Sequence, residues 1–392
     1  MPLCQGFGGF PQDWGTQEVD EEKAMALAIL YRDELREYDF GPGHPFRGER
    51  YVQFYQFLRE HLPQDNNYRI IKADWATDDD LLLICQEEYI AATRQFYEDA
   101  YRGSSSSVQF YRFHSGDNVP SGKPGKLEEA ARLIIGQAKK ACDLVKAGEF
   151  KKAVCLGGGL HHAKPDYGEG FCLYNDVAFC ARYLLQQYKL QRVLILDTDA
   201  HAGNGTSAYF YDEPRVLLID LHQDPRTLYP GTGFAYDVGS GAGKGLTVNI
   251  PMPPYAAYDS YRLVFEELVQ PIVGEFKPQI IIRNGGSDPH FSDGLTNLGL
   301  SVEGFRMITA KVREMSEVCQ GKAIDLIASG YNKAVLPYAW LALICGLAGI
   351  ETRIEEPQGP APGFKGDPSL SEIEHVIAEV KRYHKDYWKC LR

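Results

Sequence analysis

The stretch Arg192-Val193-Leu194-Ile195-Leu196-Asp197-Thr198-Asp199-Ala200-His201-Ala202-Gly203-Asn204-Gly205 passes from apolar to charged within a few residues. Its first half is β-branched and aliphatic and reads as a short buried strand. From Asp197 onward, Asp197, Asp199 and His201 recur at every second position. A continuing extended backbone points all three the same way. In an open parallel sheet, ligands bind beyond the carboxyl ends of the strands. Two carboxylates and an imidazole crowded there repel and lose hydration unless a cation sits among them. Acids and histidines after a strand also serve as plain helix caps, so this stretch alone leaves a metal site open. Gly203 and Gly205 let the backbone turn tightly.

Outward from this stretch, apolar runs and helical periodicities alternate. Strands are expected at 68–71, 153–156, 193–196, 216–221, 247–250, 280–282 and 326–328. Helices are expected at 21–34, 50–62, 86–101, 127–147, 174–187, 258–276, 302–319, 335–348 and 369–387. Thr77 before Asp78, Asp79 and Asp80 reads as an N-cap and acidic first turn. Such alternation predicts an α/β fold of βαβ units, with an open, mostly parallel sheet and helices on both faces. Residues 1–20, rich in Gly, Pro and Gln, are expected to be loose, and 21–392 to form a single large domain. Residues 103–125 form the longest expected loop; its aromatics Phe110, Tyr111 and Phe113 argue against a plain linker.

At 392 residues with 44% hydrophobic and 12% aromatic content, the chain has ample material for a core. A net charge of −12 argues against nucleic-acid partners, which are held by phosphate neutralisation, and suits a cationic substrate or basic protein tail. The nine cysteines contain no CxxC pair, and Cys155, Cys180 and Cys345 sit inside apolar runs. They read as reduced thiols of a cytoplasmic protein. Met1 to Gly15 lacks the plan of a signal peptide, and no run approaches the roughly 18 apolar residues of a membrane span.

Three further strand ends carry polar chemistry. Val154-Cys155-Leu156 leads into Gly157-Gly158-Gly159-Leu160-His161-His162. Ile282-Arg283-Asn284 leads into Gly285-Gly286-Ser287-Asp288, and Leu326-Ile327-Ala328 into Ser329-Gly330-Tyr331. A lone His pair or a lone rim Tyr is more often incidental. Their coincidence is the argument, because parallel strands bring all of these groups to one sheet edge. Asp199, His201 and Asp288 then make three protein ligands with an open position, the pattern of catalytic zinc. His161 or His162 can take a proton, and Tyr331 can steady an oxyanion. The chemistry implied is metal-assisted hydrolysis of an amide or similar bond.

The ordered set resembles the zinc-dependent histone deacetylase superfamily, which includes acetoin-utilisation proteins and acetylpolyamine amidohydrolases. It comprises Gly41-Pro42-Gly43-His44-Pro45, Gly157 to Ala163, Gly170-Phe171-Cys172 with Asn175-Asp176, and Asp197 to Gly205. It continues through Tyr229-Pro230-Gly231-Thr232-Gly233, Gly243-Lys244-Gly245, Val248-Asn249-Ile250-Pro251, Gly286-Ser287-Asp288 and Ser329-Gly330-Tyr331. The resemblance implies an arginase/deacetylase-type sheet of about eight strands. It makes Asp199, His201 and Asp288 the ligands of one zinc ion per chain and His162 the general base. His161, backed by Asp197, becomes its electrostatic or acid partner, and Tyr331 the residue polarising the acyl carbonyl. Asn204 orients His162. Phe171 and Tyr229, with Gly170, line a channel for an acyl-lysine-like chain, with Leu295 at the rim. A structural potassium ion is implied at Asp197 and at the backbone carbonyls of Asp199, His201 and Leu221, with Asp220 beside it.

There are departures. His201-Ala202-Gly203 replaces the usual His-His-Gly, and Asn204 stands where class I members have Asp. Asp220 replaces a common Ser, and the rim acid that grips a substrate backbone is matched by Asn118, next to Asp117. The expected function is removal of an acyl group from a protein acyl-lysine. The alternatives are an acetylpolyamine or other small acyl-amine as substrate, a two-manganese arginase relative, and a binding protein on a deacetylase scaffold. The arginase reading needs more carboxylates than the motifs supply. The binding reading predicts a lost ligand or a lost Tyr331, and neither is seen.

Overall fold

The computed structural model describes residues 27–62, 68–104, 109–359 and 366–392. Its strands are β1 (Leu27–Leu30), β2 (Tyr68–Ile71), β3 (Lys152–Leu156), β4 (Val193–Asp197), β5 (Val216–Gln223), β6 (Thr247–Met252), β7 (Ile280–Asn284) and β8 (Ala323–Ile327). They form one sheet in the order β2-β1-β3-β8-β7-β4-β5-β6, and every pairing is parallel. The helices before β3 are α1 (Glu49–His61), α2 (Asp78–Leu81), α3 (Glu87–Tyr101), α4 (Phe110–Phe113) and α5 (Leu127–Ala147). Between β3 and β7 come α6 (Asp176–Gln187), α7 (Asn204–Phe210), α8 (Tyr258–Val264) and α9 (Gln270–Phe276). The last three are α10 (Val302–Ser316), α11 (Leu336–Ala348) and α12 (Leu370–His384). The central strands are buried on both faces, as near-continuous Val, Ile and Leu runs require. No described helix is long and apolar enough to cross a membrane.

Several expectations are corrected. Where a helix was expected over 21–34, Leu27–Leu30 is strand β1, wedged between β2 and β3 and buried throughout. A four-residue apolar run looks the same as buried helix or buried strand, and the sheet decides between them. The expected helix 258–276 is interrupted by a π turn at Phe265–Val269. The 103–125 stretch is not all loop: it holds α4 and a 3-10 turn, Gly116–Asn118, with Phe110 packed on the Phe96 ring at 4.0 Å. Thr77 caps α2 with a reciprocal bond to Asp80. The loose segment expected at 1–20 lies outside the described residues.

β8 begins earlier than its apolar residues suggest because Asp325 lies inside it. Asp325 is paired in register with Arg283 of β7, and Arg283 Nε lies 2.5 Å from Asp325 Oδ1. Both side chains are 1% exposed, so neither charge has water to fall back on. Arg283→Met alone is expected to lower unfolding free energy by about 3–5 kcal/mol, because it strands a buried carboxylate. The double variant Arg283→Met/Asp325→Leu should recover most of that loss in urea denaturation. Equal losses in both variants would mean that packing, not charge, is what the pair contributes.

Candidate active site

β3, β8, β7 and β4 stand side by side in the sheet, and each is followed by one part of the site. After β3 come His161 and His162, after β8 Tyr331, after β7 Asp288, and after β4 Asp199 and His201. The turn after β3 is held by Asp176 of α6, whose buried carboxylate accepts from the Gly159 and Leu160 N–H groups at 2.8 and 2.7 Å.

One ligand atom each from Asp199, His201 and Asp288 lie within 4.8 Å of one another. His201 Nδ1 is 3.1 Å from Asp199 Oδ1 and 3.0 Å from Asp288 Oδ2. The two carboxylates are also within hydrogen-bonding reach of each other. Burial and then the Asp199 charge push the Asp288 carboxyl up to about 7. Burial opposes a charge on His201, but its bonds to Asp199 and Asp288 outweigh that and push it up to about 10. Burial also opposes a charge on Asp199, and His161 and His201 overcome it, holding that carboxyl well below the usual range. Two buried acids in contact with one imidazole need a positive charge among them, and this donor set fits a divalent metal ion.

Asp197 does not join this group. β4 ends there and the chain bends, so the alternation expected to aim Asp197, Asp199 and His201 together stops. Asp197 Oδ2 instead lies 2.9 Å from His161 Nδ1 and accepts from Asn284 Nδ2 at 2.9 Å. The two histidines meet through their Nε2 atoms at 3.1 Å, and His162 Nδ1 lies 2.7 Å from Asn204 Oδ1. Burial works against a charge on His161, but Asp197 and Asp199 outweigh it and raise its pKa to about 9. Burial, then the charges of His161 and His201, hold His162 well below its usual value. The pair therefore divides into a cationic His161 and a neutral His162.

Tyr331 is half-buried, with its ring 6.1 Å from that of Phe171. Burial, then the Asp288 charge, keep its phenol protonated. The Tyr229 ring is 5.2 Å from the His162 ring and 43% exposed, at the open side of the site. Phe171 has a φ of +66°, a strained value for an aromatic residue, and its carbonyl accepts from the Tyr38 hydroxyl at 2.7 Å. A Cβ at Gly170, whose φ is +60°, would overlap the His162 ring, so only glycine fits there. Leu295 is exposed, with its N–H on Asp293 Oδ1 at 2.9 Å.

Asn118 is corrected as a rim residue. It is fully buried, its Nδ2 donating to the Cys172 carbonyl at 3.0 Å. The half-buried Asp117 takes the rim, its Oδ2 accepting from Gly170 N at 2.9 Å. Asp220 and Leu221 lie on β5, with Asp220 in register with Asp197. Asp220 Oδ1 is 2.7 Å from His222 Nδ1, and Oδ2 accepts from Gly203 N at 2.8 Å. Asp197 Oδ1 accepts from Asp199 N at 3.1 Å. Every oxygen of Asp197 and Asp220 thus has a protein partner.

Sequence reasoning missed the supports of these groups. Ser329 Oγ donates to Asp288 Oδ1 at 2.7 Å, and Asp293 Oδ2 accepts from Tyr331 N at 2.8 Å. Arg50, a nearly buried charge on α1, donates to the carbonyls of Ala328 and Gly330 at 3.1 and 3.0 Å, and so holds the turn that carries Tyr331. Glu169 accepts from Asn204 Nδ2 at 2.8 Å. Only the position of Glu169, beside Gly170-Phe171, offered a signal.

Comparison with known proteins accords with this geometry. A histone deacetylase domain profile matches residues 44–347. A probable deacetylase of Archaeoglobus fulgidus is 35% identical over 377 residues, spanning 94% of this chain and 100% of the relative. The acetoin utilization protein AcuC of Staphylococcus xylosus is 37% identical over 327 residues, 83% of each chain. Among solved structures, the HDA15 HD domain aligns with a TM-score of 0.77 at 25% identity, over 93% of this chain and 97% of that one. A profile match that runs through His161, His162, Asp199, His201, Asp288 and Tyr331, on a sheet of this topology, places the chain in the histone deacetylase family.

Proposed function

We propose that the chain is a zinc-dependent amidohydrolase that removes an acetyl or related acyl group from an amine, with acyl-lysine of a protein as the first substrate class. The observation that carries this reading is the Asp199–His201–Asp288 group beside a neutral His162. Those three residues would hold one zinc ion per chain, which when bound supplies Lewis acidity toward a carbonyl and toward water. The other steps belong to the protein. His162, with Nδ1 bonded to Asn204, keeps its lone pair on Nε2, the atom beside His161, and takes the proton of the attacking water there. Cationic His161, held by Asp197, offsets developing negative charge and offers a proton to the departing amine. The protonated Tyr331 hydroxyl donates to the acyl oxygen as it becomes negative. Phe171 and Tyr229 flank the aliphatic chain and limit water. A structural potassium ion is expected from the family likeness alone, and no step runs through it. The described cysteines are all free thiols, which suits a cytoplasmic setting.

A second substrate class, small acylated polyamines, is favoured by the acids near the mouth. Asp117 and Glu169 both act on Tyr229, and the chain carries a net charge of −12.

Three measurements test these readings. Purified, metal-analysed protein is assayed on an acetyl-lysine peptide, free acetyl-lysine, acetylspermidine and acetylputrescine, with and without chelator. Chelator-sensitive turnover of the peptide is expected; turnover of the polyamines alone moves the substrate to small amines, and no turnover by zinc-loaded protein rules out acetyl as the group removed. With His201 at about 10 and Asp288 at about 7, the metal-free site holds a proton at neutral pH. Zinc uptake must expel it, together with whatever proton Asp288 still holds, so binding tightens as pH rises toward the His201 value, with between one and two protons released per ion near pH 7. Calorimetry in buffers of different ionisation heat reads that release, and its absence would exclude His201 as a ligand. Tyr331→Phe should keep stoichiometric zinc and lower kcat by about 10²–10³-fold, as loss of one oxyanion donor does. Unchanged turnover would remove Tyr331 from the reaction.

A further inference from the structure

The amide of Asn204 lies between His162 and Glu169. Asn204 Oδ1 is 2.7 Å from His162 Nδ1, and Asn204 Nδ2 donates to Glu169 Oε1 at 2.8 Å. An asparagine beside a histidine is ambiguous, because its amide can turn either end to the ring. With the oxygen toward the ring, Nδ1 must carry the hydrogen and Nε2 keeps its lone pair. With the nitrogen toward it, the tautomer reverses and Nε2, the atom beside His161, is protonated. A carboxylate only accepts, so whatever faces Glu169 must be the NH₂ end. The carboxylate is 15% exposed, and Lys164 Nζ lies 2.7 Å from its Oε1. Its backbone leads directly into Gly170 and Phe171, whose positive φ values hold this segment against the His162 ring.

We infer that Glu169 is a positioning residue, which through Asn204 sets the ring nitrogen of His162 that carries the hydrogen. This rests on the reading of His162 as the base. The negative charge sits two hydrogen bonds from the ring, where it also favours the imidazolium formed once the base has taken its proton. The Tyr229 hydroxyl faces the same carboxylate, so the residue touches the channel wall as well as Asn204.

The test combines a spectrum with kinetics, so that it stands whether or not a substrate has been found. In ¹⁵N-histidine-labelled, metal-loaded protein, the His162 ring is assigned by its loss in His162→Gln. The parent chain should show a single Nδ1–H tautomer. Glu169→Gln replaces the acceptor by an amide that can itself turn, and should give a tautomer mixture. Its kcat should fall about tenfold with KM unchanged, part of the 10²–10⁴-fold that a positioned base supplies. The double variant Asn204→Asp/Glu169→Gln moves the carboxylate next to the ring and puts the donating amide behind it. It should restore both the single tautomer and most of the lost kcat. Lys164→Met should leave both as in the parent. A His162 tautomer unchanged by Glu169→Gln overturns the proposal, as does an equal kcat loss in Lys164→Met, which would make Glu169 only half of a surface ion pair. An inactive parent with the expected spectra would count against the proposed reaction and leave the positioning role standing.

Discussion

Two aspartates that touch each other where water is scarce set the terms for this structure. Asp199 and Asp288 come from different strand ends, β4 and β7, which are neighbours in the sheet. Their repulsion is tolerated only because His201, Ser329 and backbone N–H groups surround them. The sheet brings these donors there. β8 lies beside β7 and leads into Ser329, and β4 leads into both Asp199 and His201. A slip of one residue in the β4–β7 register would face each of these residues the other way and take the site apart.

The same economy of charge runs through the histidine pair. His161 has an aspartate of its own and stays cationic, while His162 has an amide and stays neutral. Adjacent residues with the same side chain thus hold opposite protonation states, the arrangement in which one can take a proton and the other give one. The partner of each ring decides its role, and the partners come from distant segments: Asp197 from the end of β4, Asn204 from the start of α7, and Glu169 from the loop before α6. A protein with these histidines but different partners would have a different reaction chemistry.

Much of this was legible in the chain. The strands that bear the site were read as apolar runs ending abruptly in polar residues, since a fully buried parallel strand can carry few polar side chains before its end. The grouping of Asp199, His201 and Asp288 followed from parallel strands converging at one edge. Four things were not legible, each for a physical reason. β1 is too short for periodicity to tell strand from helix. Asp325 hid the start of β8, because a buried acid looks like a strand breaker until its partner Arg283 is seen beside it. Asn118 and Asp117 are adjacent, and only the 3-10 turn at Gly116–Asn118 decides that the second faces the rim and the first the interior. Contacts between distant segments, such as Arg50 to Gly330 or Ser329 to Asp288, leave no local pattern at all.

The strand order has a consequence for how such a chain comes into being. β8 is last in sequence yet lies between β3 and β7. As the chain leaves the ribosome, the three-stranded part β2-β1-β3 and the four-stranded part β7-β4-β5-β6 can form, but nothing joins them until residues 323–327 emerge. Until then each part presents an unpaired edge of buried, aliphatic character, the kind that recruits other chains. Tyr331 and Ser329 arrive with the strand that closes the gap, so the nascent protein holds its acidic cluster without these two hydroxyls until the sheet is whole.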